Sequence, residues 1–279
     1  MKVVVIGGGA SGLVAAIYAS SQNEVILLEK NKMCGKKISI TGNGKCNFMN
    51  EDFTLDHFYS ENKEQIPMIE NPKEKILNLM NQIGVEYYSK NGYYYPLSNQ
   101  ATTIQNALIK EALVNGVQII YDVEVNNIEK KQQFQIQTNR GVFEADRVIL
   151  ATGSKAYPKT GSDGIGYEIL QKMGHTIVPI KPALTSIETY PFYKDLSGVR
   201  TNVVIQLYHH QKMINQETGE LQFTDYGISG ICAMNISNIA CKKDTLKLDL
   251  IPTVSNFISY MDFKNKTVKN RTVQELLDG

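Results

Sequence analysis

Residues 1–12, MKVVVIGGGASG, run an apolar strand from Val3 to Ile6 straight into a glycine-rich turn, and the next residues, LVAAIYAS (13–20), are a helix-forming stretch. A second apolar strand, VILLE (25–29), ends on Glu29. Strand, turn, helix, strand and acid in this order make a dinucleotide-binding signature, with Gly7, Gly9 and Gly12 at G-x-G-x-x-G spacing. Gly7 permits the tight turn, Gly9 lets the backbone approach a pyrophosphate, and Gly12 lets the helix lie close to the strand. The helix's free N–H groups and positive dipole end face the phosphates. A carboxylate about 20 residues on suits a ribose diol and repels a 2′-phosphate. The motif alone is weak. The competing reading, a glycine turn that binds nothing, leaves the register of strand, helix and acid unexplained.

At 279 residues the chain fits two domains, or one α/β domain with a large insertion. Lys and Arg total 29 against 28 Asp and Glu, a net charge of +1, so bulk charge announces neither nucleic acid nor an acidic membrane surface. The expected partner is a small molecule, with no nucleic acid and no membrane. Cys34, Cys46, Cys232 and Cys241 form no C-x-x-C pair and no zinc spacing, which argues against a metal site and a redox disulfide. Reduced thiols in the cytoplasm are the expectation. There is no apolar run of about 18 residues and no basic leader before the first strand.

Residues 31–50, NKMCGKKISITGNGKCNFMN, lack an amphipathic period and are dense in Gly, Lys, Asn and Thr. They read as an ordered loop with a short helical turn, and long aperiodic loops inside compact domains tend to be functional. Helical periodicity returns over 72–83 and 101–115. The tyrosine cluster YYSKNGYYY (87–95) packs a sheet or lines a cleft. Short β segments fill about 117–146 as a meander, after which RVILA (147–151) returns to the main sheet. ATGSKAYPKTGSDGIGYEILQKMGH (151–175) then repeats the strand, glycine loop, helix logic, with a helix over 165–173. A second loop of this kind can close over the same ligand. The expected organisation is a Rossmann-like α/β domain at 1–183, a mainly-β insert at 184–252, and a polar helical segment at 253–279 with helices over 255–263 and 272–277. Strands in the insert are read at Leu184–Ile187, Asn202–Leu207, Leu221–Thr224 and Leu246–Leu250.

Four blocks in order, GGGASG (7–12), GKKISITGNGKCN (35–47), the segment 151–175 and GELQFTDYGISGICAMNIS (219–237), resemble the BaiN-like NAD(P)/FAD-dependent oxidoreductases. These are flavoproteins of aminoacetone-oxidase type within the superfamily of two dinucleotide-binding domains. The resemblance covers essentially the whole chain. It implies a Rossmann-like FAD-binding domain with an inserted mainly-β substrate domain, itself interrupted by a small helical subdomain. By this resemblance Gly7, Gly9, Ala10, Ser11 and Gly12 hold the pyrophosphate, and Glu29, followed by Lys30, binds the adenosine ribose. Lys36, Lys37, Thr41, Gly42, Asn43, Gly44, Cys46 and Asn47 wrap the cofactor from ribityl chain to ring. Val125 meets the adenine, while Thr152 and Gly153 pass close to the pyrophosphate or ribose. The lysines and loop amides suit phosphate and an anionic reduced flavin. Family members are longer and end in a glycine-rich strand–turn–helix that returns to the cofactor. Nothing after Asn238 resembles that segment, so this chain is expected to stop inside the helical subdomain.

The leading expectation is an FAD-dependent oxidoreductase moving hydride between the flavin and a nicotinamide nucleotide, NAD(P)H, or a small organic substrate. With one dinucleotide fingerprint, the nicotinamide is a transient visitor. Competing readings are a binding module that holds little or no cofactor, a tRNA-modifying flavoprotein, and an ordinary NAD dehydrogenase; the last leaves 35–50 without a task. No acid, base or nucleophile is singled out. His175 sits at a helix end, where a capping role is expected, and His57, His209 and His210 stand in no motif. Tyr93, Tyr94, Tyr95 and Tyr157 read as structural first.

Overall fold

Val3 to Ile6 are all buried, and a strand buried on both faces needs cover on each side. The computed structural model, which describes residues 1–58, 70–268 and 272, supplies that cover. β1 (Lys2–Ile6) pairs in parallel with β2 (Glu24–Leu28) on one side and β10 (Arg147–Leu150) on the other. β6 (Gln118–Ile120) adds in parallel outside β2. The spatial order β6, β2, β1, β10 makes β1 the point where successive connections turn to opposite sides, the place where α/β sheets bind ligands.

Alternation along β1 sorts its side chains between two cores. Val3 and Val5 meet Leu13, Ala16 and Ile17 of α1 (Ala10–Ser20) and Ile104, Leu108 and Ala112 of α3 (Ala101–Val114). The four-residue spacing in α3 is the period read from sequence. Val4 and Ile6 meet the other layer, which is β7 (Val125–Lys130), β8 (Phe134–Thr138), β9 (Gly141–Ala145) and α4 (Ile165–Lys172). Helices therefore cover one face, and a three-stranded antiparallel meander with a helix covers the other. Between β2 and α3 the chain adds β3 (Met49–Asn50), α2 (Pro72–Gln82), β4 (Tyr87–Lys90) and β5 (Tyr93–Pro96). β5 pairs with both β3 and β4. Phe48, Tyr87 and Tyr94 form an aromatic cluster there, with centroids 6.1 to 6.2 Å apart. At the end of α4 the main-chain N–H of His175 donates to Leu170 O at 3.0 Å, so its backbone closes the helix.

The structure separates into two compact units, Met1–Val178 and Pro179–Gly279, against the boundary of 183/184 read from sequence. The second unit carries an antiparallel sheet in the order β11 (Ile187–Glu188), β14 (Gly227–Ser229), β13 (Lys212–Phe223), β12 (Arg200–His209), β15 (Thr245–Asp249). Val203, Ile205, Leu207, Leu221 and Phe223 line one face under Cys232, Ala233 and Ile236 of α5 (Ile231–Ser237). α6 (Phe257–Thr267) follows.

Three departures have physical causes. The strand at 118–120 joins the parallel sheet rather than the meander, which spans 125–145. β13 is far longer than Leu221–Thr224, because KMINQETGE pairs along β12 through its backbone while its side chains stay largely in solvent. α5 is too short at 7 residues to show a helical period. The helix expected over 272–277 lies outside the described residues save Thr272. Among the described residues no helix is long and apolar enough to cross a membrane.

Candidate dinucleotide site

Where β1 ends, the chain must turn at once into α1, and the helix must lie against that turn. A Cβ at Gly12 would overlap the Gly7 carbonyl oxygen and come within 3.0 Å of its carbon, so only glycine admits this packing. A Cβ at Gly8 would collide with Cys34 Sγ and lie 2.9 Å from Glu29 Oε2. No side chain caps α1, and no acid lies in its first turn, so its N-terminal dipole is left for a ligand.

Glu29 is the charged residue that this turn buries, at 7% exposure. Its Oε2 accepts the Gly8 N–H at 2.6 Å, and its Oε1 accepts the Asn31 N–H and Asn31 Nδ2, both at 2.7 Å. A carboxylate has about four acceptor positions, so capacity remains for a hydroxyl. Behind it the Cys34 thiol is fully buried, faces the Tyr121 hydroxyl, and is pushed up to about 12 by burial and by the Glu29 charge. It is a neutral packing group, not a nucleophile.

Gly7, Gly8, Gly9, Glu29 and Asn31 line a cleft with about 730 Å³ of empty space, part of it open to solvent. Of the residues singled out in sequence, Gly7, Gly9, Glu29, Lys30, Lys36, Lys37, Val125, Thr152 and Gly153 line it. Ala10, Ser11 and Gly12 form the adjoining first turn of α1. Thr41, Gly42, Asn43, Gly44 and Asn47 are exposed on a neighbouring loop outside the lining. In that loop Asn43 and Cys46 hold φ of 54° and 57°, a conformation that side-chain-bearing residues rarely adopt. Cys46, expected along the cofactor with its neighbours, is the buried member of this loop. Its thiol is 6% exposed, packs in the α1/α3 core and bonds to Thr41, and burial raises its pKa.

Sequence reading passed over Gly8, Asn31, Val123, Glu124, Thr160, Gly161, Ser162 and Ile165, which also line the cleft. The middle glycine of GGG was a visible signal for Gly8. Thr160, Gly161, Ser162 and Ile165 lie in the 151–175 segment read as a second loop over the ligand, and Asn31 opens the 31–50 loop, whereas the approach of Val123 and Glu124 is determined by the fold. Asn31 Nδ2 donates to Thr160 O at 3.3 Å, and Lys30 Nζ bridges Asp163 at 2.8 Å and Glu124 at 2.7 Å. Hydrogen bonding to Lys30 holds the Asp163 carboxyl below its ordinary 3.8, and the same pairing with Asp163 and Glu124 holds the Lys30 amine above 10.5. A depressed carboxyl stabilises the fold above its unfolded value and loses that contribution as pH falls through its folded value. A raised amine does so below 10.5, with loss at higher pH. The difference in melting temperature between wild type and Asp163→Asn is therefore expected to stay flat from about pH 5 to about pH 9 and to shrink as pH falls below 3.8 and through the lowered folded value. A difference that grows on acidification would refute the pairing.

A glycine cradle at the sheet's switch point, a buried carboxylate two strands in, a free helix start and lysines at the rim fit a dinucleotide. The chain belongs to the HI0933-like protein Rossmann domain family, which it matches over residues 1–276. It is 37% identical over 249 residues to the 3-dehydro-bile acid delta(4,6)-reductase of Clostridium scindens, covering 86% of this chain and 61% of that protein. It is 30% identical over 260 residues to the ribosomal RNA dihydrouridine synthase of Haemophilus influenzae, covering 89% of this chain and 64% of that protein. The chain thus spans somewhat over three fifths of the length of these relatives. Among solved structures, THI4 of Thermovibrio ammonificans is similar at 19% identity and a TM-score of 0.38, over 53% of this chain and 54% of that one.

Proposed function

We propose that this chain holds FAD in the cleft of its first unit and serves a flavin-dependent reductase that delivers hydride to a carbon–carbon double bond conjugated with a carbonyl. Glu29 carries the cofactor half: a buried carboxylate, pinned by Gly8 and Asn31, beside the uncapped start of α1. When bound, FAD supplies hydride transfer through its flavin ring. The chain's own residues divide the binding. Glu29 accepts a ribose hydroxyl, and the N–H groups of Ala10, Ser11 and Gly12 meet the pyrophosphate. Val123 and Val125 give the adenine an apolar wall, and Thr152 and Gly153, also in the lining, pass close to the pyrophosphate or ribose. The exposed loop of Thr41, Gly42, Asn43, Gly44 and Asn47 offers backbone amides toward the ring.

The substrate half is supported by what the relatives' names denote. A delta(4,6) system beside a 3-oxo group, and the uracil double bond that becomes saturated in dihydrouridine, are both conjugated to a carbonyl. Such a bond accepts hydride at its far carbon because the charge moves onto oxygen. NAD(P)H is the proposed electron source, and the cytoplasm the proposed setting.

The test is to purify the chain, record its visible spectrum, and identify any released nucleotide by mass spectrometry. A yellow protein that releases FAD, is bleached by NADH or NADPH without oxygen, and is reoxidised by a 3-oxo-4-ene steroid but not by its saturated analogue is the expected result. A colourless chain that takes up no added FAD refutes it. The ribosomal RNA dihydrouridine synthases favour a second reading in which the conjugated substrate is a uracil in RNA. A net charge of +1 opposes it, and RNA binding that falls steeply with salt would restore it.

A further inference from the structure

Among the described residues three polar or charged ones are buried, Glu29, Gln105 and Thr160. Glu29 and Thr160 line the cleft, whereas Gln105 lies outside the lining, on the buried face of α3 beside Ala101, Ile104, Leu108 and Ala112. An amide in an apolar core is costly unless its hydrogen bonds are met. Gln105 Nε2 donates to Cys34 O at 2.6 Å, across 71 residues of sequence. The N–H of the same peptide, on Gly35, donates to Gly8 O at 2.7 Å, and the Gly8 N–H donates to Glu29 Oε2 at 2.6 Å. One peptide group is therefore gripped at both ends, by α3 at its oxygen and by the glycine turn at its nitrogen. Gly35 makes the approach feasible: it holds φ of 72°, and a Cβ there would lie 2.8 Å from Gln105 Cγ.

Resting on the FAD reading above, we propose that Gln105 is a positioning residue for nucleotide binding: through the Cys34–Gly35 peptide it fixes the Gly8 turn, and with it the Glu29 carboxylate that receives the ribose. Gln105 itself touches no ligand. The bonds run in one direction, each donor to the next carbonyl or carboxylate, so each polarises its neighbour. Packing does not call for an amide here, because the other buried residues of α3 are alanine, isoleucine and leucine. What the amide adds is a grip on the peptide that joins the core to the turn.

The experiment measures binding of ADP, 2′-deoxy-ADP and FAD to the full chain, beside hydrogen exchange at the Gly35 amide of the ligand-free protein. Gln105→Met keeps the length of the side chain and removes its donor. It is expected to speed Gly35 exchange about tenfold or more and to weaken ADP and FAD about tenfold. It should also narrow the preference for ADP over 2′-deoxy-ADP, which reads the Glu29 contact. Ile104→Val trims the same helix face outside this chain of bonds, and should lower the melting temperature while leaving that preference at its wild-type value. Gln105→Asn, whose amide falls a methylene short of Cys34 O, should move exchange and preference in the same direction as Gln105→Met, and decides the matter if the methionine variant does not fold. A variant at 105 that melts lower yet keeps wild-type Gly35 exchange and ADP preference overturns the proposal and leaves Gln105 a packing residue. A wild-type chain that binds none of the probes refutes the FAD reading and the nucleotide role with it, while Gly35 exchange still decides whether Gln105 holds the turn.

Discussion

Alanine at position 12 is expected to cost this chain both its nucleotide site and much of the stability of its first unit. The added methyl has nowhere to go: its neighbours are the Gly7 carbonyl group and, 3.3 Å away, Ala151 Cβ on the segment leaving β10. These are backbone and a short side chain, so no flexible group can swing aside. α1 must move off β1, which separates Leu13, Ala16 and Ile17 from Val3 and Val5 in the core they share. Overpacking of this kind costs roughly 1–3 kcal/mol, and each kcal/mol is worth about 2–4 °C of Tm in a unit of this size. The same movement carries the first-turn N–H groups away from Gly7 and Gly9, so ADP and FAD affinity should fall by about a hundredfold or more. Thermal melting and titration with ADP check the two effects separately. If Gly12→Ala melts and binds as wild type does, the close contact of helix and turn is wrong, and the anion site built on it fails too.

The reach of the sequence over this site follows from which interactions are local. Between Lys2 and Glu29 each element abuts the next, and glycine spacing, strand alternation and the terminal acid all follow from contacts within one βαβ unit. The periods of α2 and α3 were legible for the same reason: one buried stripe each, around Leu79 and Met80 and at Ile104, Leu108 and Ala112. What stayed hidden depends on contacts between distant segments. The pairing of Lys37 with Ala156 and Ser162 spans more than 115 residues, so nothing in KK distinguishes its two members. Cys46 sits in a block rich in Gly and Asn, but its left-handed backbone turns the thiol inward, a reversal that composition does not encode. β6 was read with the meander because its apolar residues look alike in either sheet; only pairing of Ile26, Leu27 and Leu28 with it settles the matter. In the second unit the polar half of β13 shows how backbone pairing can hold a strand without a hydrophobic signal.

Glu29→Ala is expected to give the other large effect, and it separates holding the turn from holding the ligand. The wild-type carboxylate satisfies the Gly8 N–H, which is buried, and two donors of Asn31, which is half-buried. Removing it orphans the Gly8 donor, and one buried unsatisfied donor costs about 1–3 kcal/mol; the Asn31 donors, nearer to water, add less. Asn31 also loses the partner that aims its Nδ2 at Thr160 O, so the 154–164 loop should loosen. Affinity for ADP should drop by about a hundredfold, because the ribose acceptor and the order of the turn go together. Glu29→Gln divides the two. Its single carbonyl oxygen can take the Gly8 N–H but then presents an amide N–H₂ to the Asn31 donors, so stability should be intermediate while the ribose hydroxyl loses its charged acceptor. Losing the negative charge also weakens the repulsion of a 2′-phosphate, so Gln should narrow the wild-type preference for ADP over a 2′-phosphorylated ADP analogue. An alanine variant with wild-type melting and ADP affinity would mean that the Glu29 carboxylate neither braces the glycine turn nor receives a ribose, and the cleft would need another occupant.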